Sequence, residues 1–136
     1  MSQLRLQPIS ILVAEDHEIV RDGICAIVDR QTNLKVVAEA QDGLQAIELY
    51  RARQPDVVLM DLRIPKMEGV EAIAQIVSEF ARAKIVILTT YDTDEDIYRG
   101  LKAGAKGYLL KDASAQKLAL AISTVTTFRK GLARLE

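Results

Sequence analysis

The residues of this chain that could do chemistry are three carboxylates, a threonine pair and one lysine, each at the end of an apolar run. Val57–Val58–Leu59–Met60 stops at Asp61, Ile9–Ala14 stops at Glu15 and Asp16, Ile85–Leu88 stops at Thr89 and Thr90, and Tyr108–Leu110 stops at Lys111. Short apolar runs bounded by polar residues predict strands buried on both faces, as parallel sheets require. Open α/β sheets place their ligands at the carboxyl ends of such strands. Carboxylates gathered there repel one another in a partly desolvated cleft, and a hard divalent cation relieves the repulsion. A set of oxygen ligands with no histidine or thiolate nearby favours Mg²⁺, which takes one or two carboxylates plus phosphate oxygens and keeps several waters. Asp61 is then the natural nucleophile, because carboxylates form acyl phosphates. Lys111 can balance phosphoryl charge, and the Thr89 hydroxyl can hydrogen-bond a phosphoryl oxygen.

The elements that must position these groups alternate along the chain. Ile19, Val20, Ile24, Ile27 and Val28 recur at helical spacing and predict a helix over 18–30. The thinner pattern of residues 34–40 suits an edge strand. Asp42–Gly43 could turn a hairpin, but the helical run Leu44, Ala46, Ile47, Leu49 and Tyr50 follows it, so a strand-to-helix loop is preferred. Pro65 and Gly69 punctuate the loop after Asp61, and Val70, Ile73, Ile76, Val77 and Phe80 form the next helical stripe. A helix should begin near Thr93 and end at Gly104, and Ser114 should cap the last helix, with Leu118, Ala121, Ile122, Val125 and Phe128 as its stripe. Five strands alternating with five helices predict right-handed crossovers and a doubly wound α/β fold, a five-stranded parallel sheet in the order 2-1-3-4-5. Strands one and three are then neighbours, and all the strand-end residues converge on one sheet edge.

Composition narrows the function. One domain is the default for 136 residues, and a net charge of −1 gives no general attraction to nucleic acid or anionic membrane. The single cysteine, Cys25, excludes an intrachain disulfide and reads as core filling. No stretch approaches the roughly 20 apolar residues of a membrane span, and the N-terminus lacks the apolar core of a signal peptide. The reading is a soluble, cytoplasmic protein without a membrane partner. His17 reads as a solvated loop histidine.

The ordered set Glu15–Asp16, Asp61 followed by Leu-Arg-Ile-Pro-Lys-Met-Glu-Gly, Thr89–Thr90 and Lys111 resembles the receiver domain of two-component response regulators. The stretches Thr89-Thr90-Tyr91-Asp92-Thr93-Asp94-Glu95 and Gly107-Tyr108-Leu109-Leu110-Lys111-Asp112-Ala113-Ser114 are similar to the NarL/LuxR-type subclass in particular. The resemblance implies a flavodoxin-like (βα)5 fold in which Asp61 accepts phosphate from a sensor histidine kinase. It implies Mg²⁺ held by Asp16, Asp61 and the Arg63 backbone carbonyl, with Glu15 acting mostly through water. It further implies Thr89 and Lys111 on the phosphoryl group, with Thr89 and Tyr108 as a switch pair. Activity beyond the chain's own phosphorylation and slow autodephosphorylation is not implied. Lys111 is followed by Asp112, where much of the wider family has proline after a cis bond, so the geometry of the Lys111–Asp112 peptide stays open.

The expected organisation is a leader over 1–8, a receiver domain over 9–128, and a tail or start of a linker to an output domain over 129–136. Regulators of this type carry a helix-turn-helix domain after the receiver, and the apolar stripe of the last helix runs on through Leu132 and Leu135, which favours a fragment over a free-standing receiver. Arg129, Lys130 and Arg134 are too few for a DNA-binding surface, so no DNA binding is expected of this chain alone. Relatives dimerise through helical faces, which leaves room for a homodimer. Other classes fit less well. A flavodoxin-like cofactor binder would need a phosphate cradle where Glu15-Asp16-His17-Glu18 stands, and a phosphohydrolase would place a second acid where Arg63 stands. A degenerate receiver used only for docking would not need the full residue set.

Overall fold

The computed structural model describes residues 7–90 and 94–135, with side chains described up to 126 except that of residue 94. The expected helix start at Thr93 and the side chain of Phe128 lie outside the described residues. Five strands alternate with five helices: β1 (Ile9–Ala14), α1 (Glu18–Asp29), β2 (Leu34–Ala40), α2 (Gly43–Arg53), β3 (Val57–Asp61), α3 (Gly69–Glu79), β4 (Ile85–Thr89), α4 (Asp94–Ala103), β5 (Gly107–Leu110) and α5 (Ala115–Leu135). The strands form one parallel sheet in the order β2-β1-β3-β4-β5, as the alternation predicts.

Burial on both faces explains the unbroken apolar runs. All five residues of β3 are buried, and successive side chains face opposite sides of the sheet. Leu12, Val58, Met60, Ile85 and Ile87 pack with Ala46, Ile47, Tyr50, Ala72, Ile73 and Ile76 of α2 and α3. Their neighbours Ile11, Val13, Val57, Leu59, Val86 and Leu88 pack with Ile24, Cys25, Val28, Leu118, Ile122 and Val125 of α1 and α5. Burial pushes the Cys25 thiol up to about 12, so it is a core group without thiolate character near neutral pH.

Local chemistry fixes the element ends. The Asp42 side chain accepts from the Gln45 amide at 2.8 Å and caps α2, so Asp42–Gly43 is a strand-to-helix loop and not a hairpin. Gln54 closes that helix in the left-handed region (φ 41°) just before Pro55. Gly104 ends α4 at φ 127°. Ser114 caps α5 through its hydroxyl, which accepts from the Lys117 amide at 3.1 Å. The helix continues through Leu135, beyond the 128 expected for the domain's end. The Lys111–Asp112 peptide is trans.

The α1 stripe needs a correction. Ile19 is 87% exposed and Val20 37%, although both were expected on the buried face. The inward face of α1 instead carries Arg21, Ile24, Cys25 and Val28. The helical period was right, but the phase was displaced by a buried arginine where an apolar residue was expected.

Gly69 starts α3 where the chain passes back over the end of β3. A Cβ there would stand 2.5 Å from the Leu62 Cα and 2.6 Å from the Asp61 carbonyl oxygen, backbone atoms that cannot yield. Gly23, inside α1, has open space around the same position. Urea denaturation should therefore give opposite signs: Gly69→Ala loses about 2 kcal/mol or more, whereas Gly23→Ala gains roughly 0.5–1 kcal/mol.

Candidate functional site

β1 and β3 are neighbours, so the carboxylates at their ends meet. Asp61 is 5% exposed and Glu15 wholly buried, a costly state for anions without compensation. Lys111, in the turn after β5, supplies it. Its Nζ stands 2.5 Å from Glu15 Oε1 and donates to Asp61 Oδ2 at 3.1 Å. The ammonium arrives there because the Lys111 amide donates to the Thr89 carbonyl at 2.8 Å, which ties the ends of β4 and β5 together. Asp61 Oδ1 accepts from the Arg63 amide at 3.0 Å, and Gly69 N–H donates to the Leu62 carbonyl at 2.9 Å, folding the loop after β3 back over the strand end.

The carboxyls titrate in opposite directions. Burial alone would push Glu15 up, but the Lys111 ammonium and the His17 amide outweigh it and hold the carboxyl below its ordinary value. For Asp61 burial wins over the Arg63 amide and Lys111, and the carboxyl is raised. Burial would lower Lys111, but Glu15 and Asp61 hold its ammonium above the ordinary lysine value.

Asp16 lies at the mouth, with its side chain 28% exposed. Its Oδ1 is covered by protein and has no hydrogen-bond donor. His17 Nδ1 approaches that oxygen at 3.4 Å and Glu15 Oε2 at 3.1 Å, while the His17 amide donates to Glu15 Oε2 at 3.0 Å. Glu15, Asp16 and His17 each offer a ligand atom, and these lie within 4.8 Å of one another. A covered carboxylate oxygen lacking a donor, beside the Glu15 carboxylate, fits a hard cation.

The structure thus brings Glu15, Asp61 and Lys111 into direct contact, with Asp16 adjoining through His17. Thr89 ends β4 beside β3. Tyr108 in β5 is 45% exposed and turned outward. The Arg63 guanidinium reaches away to Asp96 of α4 at 2.8 Å, while its backbone stays against Asp61. Two participants were not legible in advance. His17 is exposed, as read, but its ring also contacts both acids. Arg21, buried at 8% exposure, donates from Nη1 to the Glu15 carbonyl at 2.9 Å and from Nε to Glu39 Oε1 at 3.2 Å. Its signal was positional, since it shares a stripe with Ile24, Cys25 and Val28.

A doubly wound sheet with an acidic, lysine-closed notch at its switch point is the class that fold and site define. The family model described as the response regulator receiver domain matches residues 11–123, and the chain belongs to that family. It is 44% identical over 114 residues to the uncharacterized transcriptional regulatory protein YxjL of Bacillus subtilis, covering 84% of this chain and 52% of that protein. It is 40% identical over 128 residues to the transcriptional regulatory protein LiaR of Bacillus subtilis, covering 94% of this chain and 59% of that one. The chain therefore spans somewhat over half the length of these relatives. Among solved structures it is similar to a LuxR-family two-component response regulator from Aurantimonas (TM-score 0.83, 35% identity, 88% of this chain and 85% of that chain). It is also similar to the signal receiver domain of NarL from Mycobacterium tuberculosis (TM-score 0.83, 31% identity, 93% and 99%). The receiver domain of a LuxR/NarL-type regulator, a signalling class whose members work with sensor kinases and bind Mg²⁺ at an acidic site, is the reading that fold and family share. Among the described residues no helix is long and apolar enough to cross a membrane.

Removing the cation should expose the electrostatic dependence. In Lys111→Met the buried Glu15 loses its compensating charge, and stability at pH 7 should fall by about 3 kcal/mol. Glu15 would then be raised above its unfolded value, so the folded state binds the extra proton and the variant gains stability as pH falls from 7 to 5. The wild type, whose Glu15 is lowered, has no such gain from this group: its contribution is lost as pH falls through the folded value. Urea denaturation of both chains at the two pH values measures the difference.

Proposed function

We propose that Asp61 is the phosphoacceptor and that its phosphorylation is the signal this chain carries. The observation that supports it most is the pairing of a nine-tenths buried carboxylate at the end of β3 with Lys111 at 3.1 Å. The carboxylate is poised by burial and held in place by the ammonium, so one side chain can attack while the other stabilises the charge that arrives.

An Asp61 carboxylate oxygen attacks the phosphorus of a kinase's phosphohistidine. The O–P bond forms, the P–N bond breaks, and the imidazole leaves and takes up a proton. Lys111 moves from Asp61 onto a phosphoryl oxygen, and the Thr89 hydroxyl donates to another. Mg²⁺ would be held by Asp16, Asp61 and the Arg63 carbonyl with Glu15 behind them, and when bound it neutralises charge on the transferring group. The chain's own catalysis is confined to this transfer and to slow loss of the phosphoryl group to water.

The readout follows from the same side chains. Thr89 moves toward the phosphoryl group, and Tyr108 turns from its exposed position into the space released, which reshapes the surface of α4, β5 and α5. The receiver occupies residues 9–128, with a leader before it and a linker region over 129–136. The transcriptional regulators it resembles support control of transcription as the output in the whole protein, through a helix-turn-helix domain, with a homodimer through helical faces as the responding assembly.

Incubated with radiolabelled acetyl phosphate and Mg²⁺, the wild-type chain should incorporate one alkali-labile phosphoryl group, and Asp61→Asn should incorporate none. Undiminished labelling of Asp61→Asn overturns the assignment.

A further inference from the structure

A buried guanidinium is costly unless it is paired and hydrogen-bonded. Arg21 occupies an inward position on α1 at 8% exposure, in a stripe otherwise filled by Ile24, Cys25 and Val28. Its side chain makes two directed bonds, to Glu39 of β2 at 3.2 Å and to the Glu15 backbone carbonyl at 2.9 Å. Glu39 alone would not require burial, because its side chain is 46% exposed. The second bond is the informative one, since it ends on the residue that begins the acidic loop.

That carbonyl belongs to the peptide plane that links Glu15 to Asp16. The other side of Glu15 is fixed as well, because its amide donates to the Ala40 carbonyl at 3.0 Å. With both ends of the residue held, rotation of the Glu15–Asp16 peptide must break one of these bonds, and that rotation is the motion that would swing the Asp16 carboxylate out of the notch. Asp16 needs such help: its side chain is partly exposed, its covered Oδ1 accepts no hydrogen bond, and the His17 ring that approaches it at 3.4 Å is itself largely exposed. We propose that Arg21 is a positioning residue for the acidic site, acting through the Glu15 carbonyl to set the Asp16 carboxylate for divalent-cation binding, with Glu39 as the strut that aims the guanidinium. The proposal rests on the reading of Glu15 and Asp16 as the cation site.

The test is a Mg²⁺ titration of the 136-residue chain followed by amide NMR shifts, alongside thermal denaturation in the absence of the metal. Outer partners of metal ligands are typically worth 10–100-fold in affinity. Arg21→Met should weaken Mg²⁺ binding by about tenfold or more. Arg21→Lys, which keeps a donor for the carbonyl, should recover much of the loss. Glu39→Gln, at a half-exposed position that leaves the core intact, should weaken binding by roughly two- to fivefold, a fraction of the full effect. A purely structural arginine would lower the melting temperature and leave the affinity of the folded protein unchanged. Wild-type affinity in folded Arg21→Met overturns the inference. Should that variant fail to fold, wild-type affinity in Glu39→Gln overturns it instead. Asp16→Asn separates the two levels: absence of any Mg²⁺ response in the wild type, or an undiminished one in Asp16→Asn, overturns the reading of the site and the inference with it.

Discussion

The arrangement depends on one ammonium placed between two buried carboxylates. Glu15 and Asp61 end adjacent strands of a parallel sheet, so the fold itself forces like charges together in a place from which water is largely excluded. Lys111 at 2.5 and 3.1 Å makes that tolerable. The lysine in turn is placed at the end of β5, where its own N–H donates a hydrogen bond to the Thr89 carbonyl and brings the far edge of the sheet to the site. The contacts that make the buried acids tolerable lie on the same three side chains to which the proposed chemistry is assigned.

The proposed change at Asp61 has short routes to the surface of α4 and β5. Lys111 follows β5, Arg63 follows β3 and contacts α4 through Asp96, and Tyr108 stands exposed on β5. These links are short covalent and ionic ones that bypass the core, in which Leu59, Met60 and Ile87 are fully buried. Glu15 and Asp61 titrate in opposite directions: the Lys111 ammonium and the His17 amide hold Glu15 below its ordinary value, while burial raises Asp61.

The fold was legible because hydrophobic runs and helical stripes are read directly from residue type. The strands followed from apolar runs that end in polar residues and the helices from their stripes, while the sheet order, and with it the convergence of Asp61, Glu15 and Lys111, followed from the order that doubly wound five-stranded sheets commonly take. What escaped did so for physical reasons. Arg21 was invisible because a charged residue predicts exposure, and only tertiary contacts to the Glu15 carbonyl and Glu39 reverse that. The phase of α1 was misjudged for the same reason, since Ile19 and Val20 are apolar yet face outward. His17 was read as solvated, which its exposure bears out, but backbone geometry also turns its ring toward both acids. The continuation of α5 through Leu135 was hinted at by Leu132 and Leu135.

The central claim is the proposal that Asp61 receives the incoming group while the Lys111 ammonium shifts its ion pair from Asp61 to that group. A crystal structure grown with Mg²⁺ and beryllium trifluoride, a phosphoryl mimic, tests this most directly. The account predicts beryllium bonded to an Asp61 carboxylate oxygen, Lys111 Nζ on a fluorine and no longer on Asp61, and the metal against Asp16. A fluoride adduct on another residue, or an adduct on Asp61 with Lys111 still paired to that carboxylate, would contradict it.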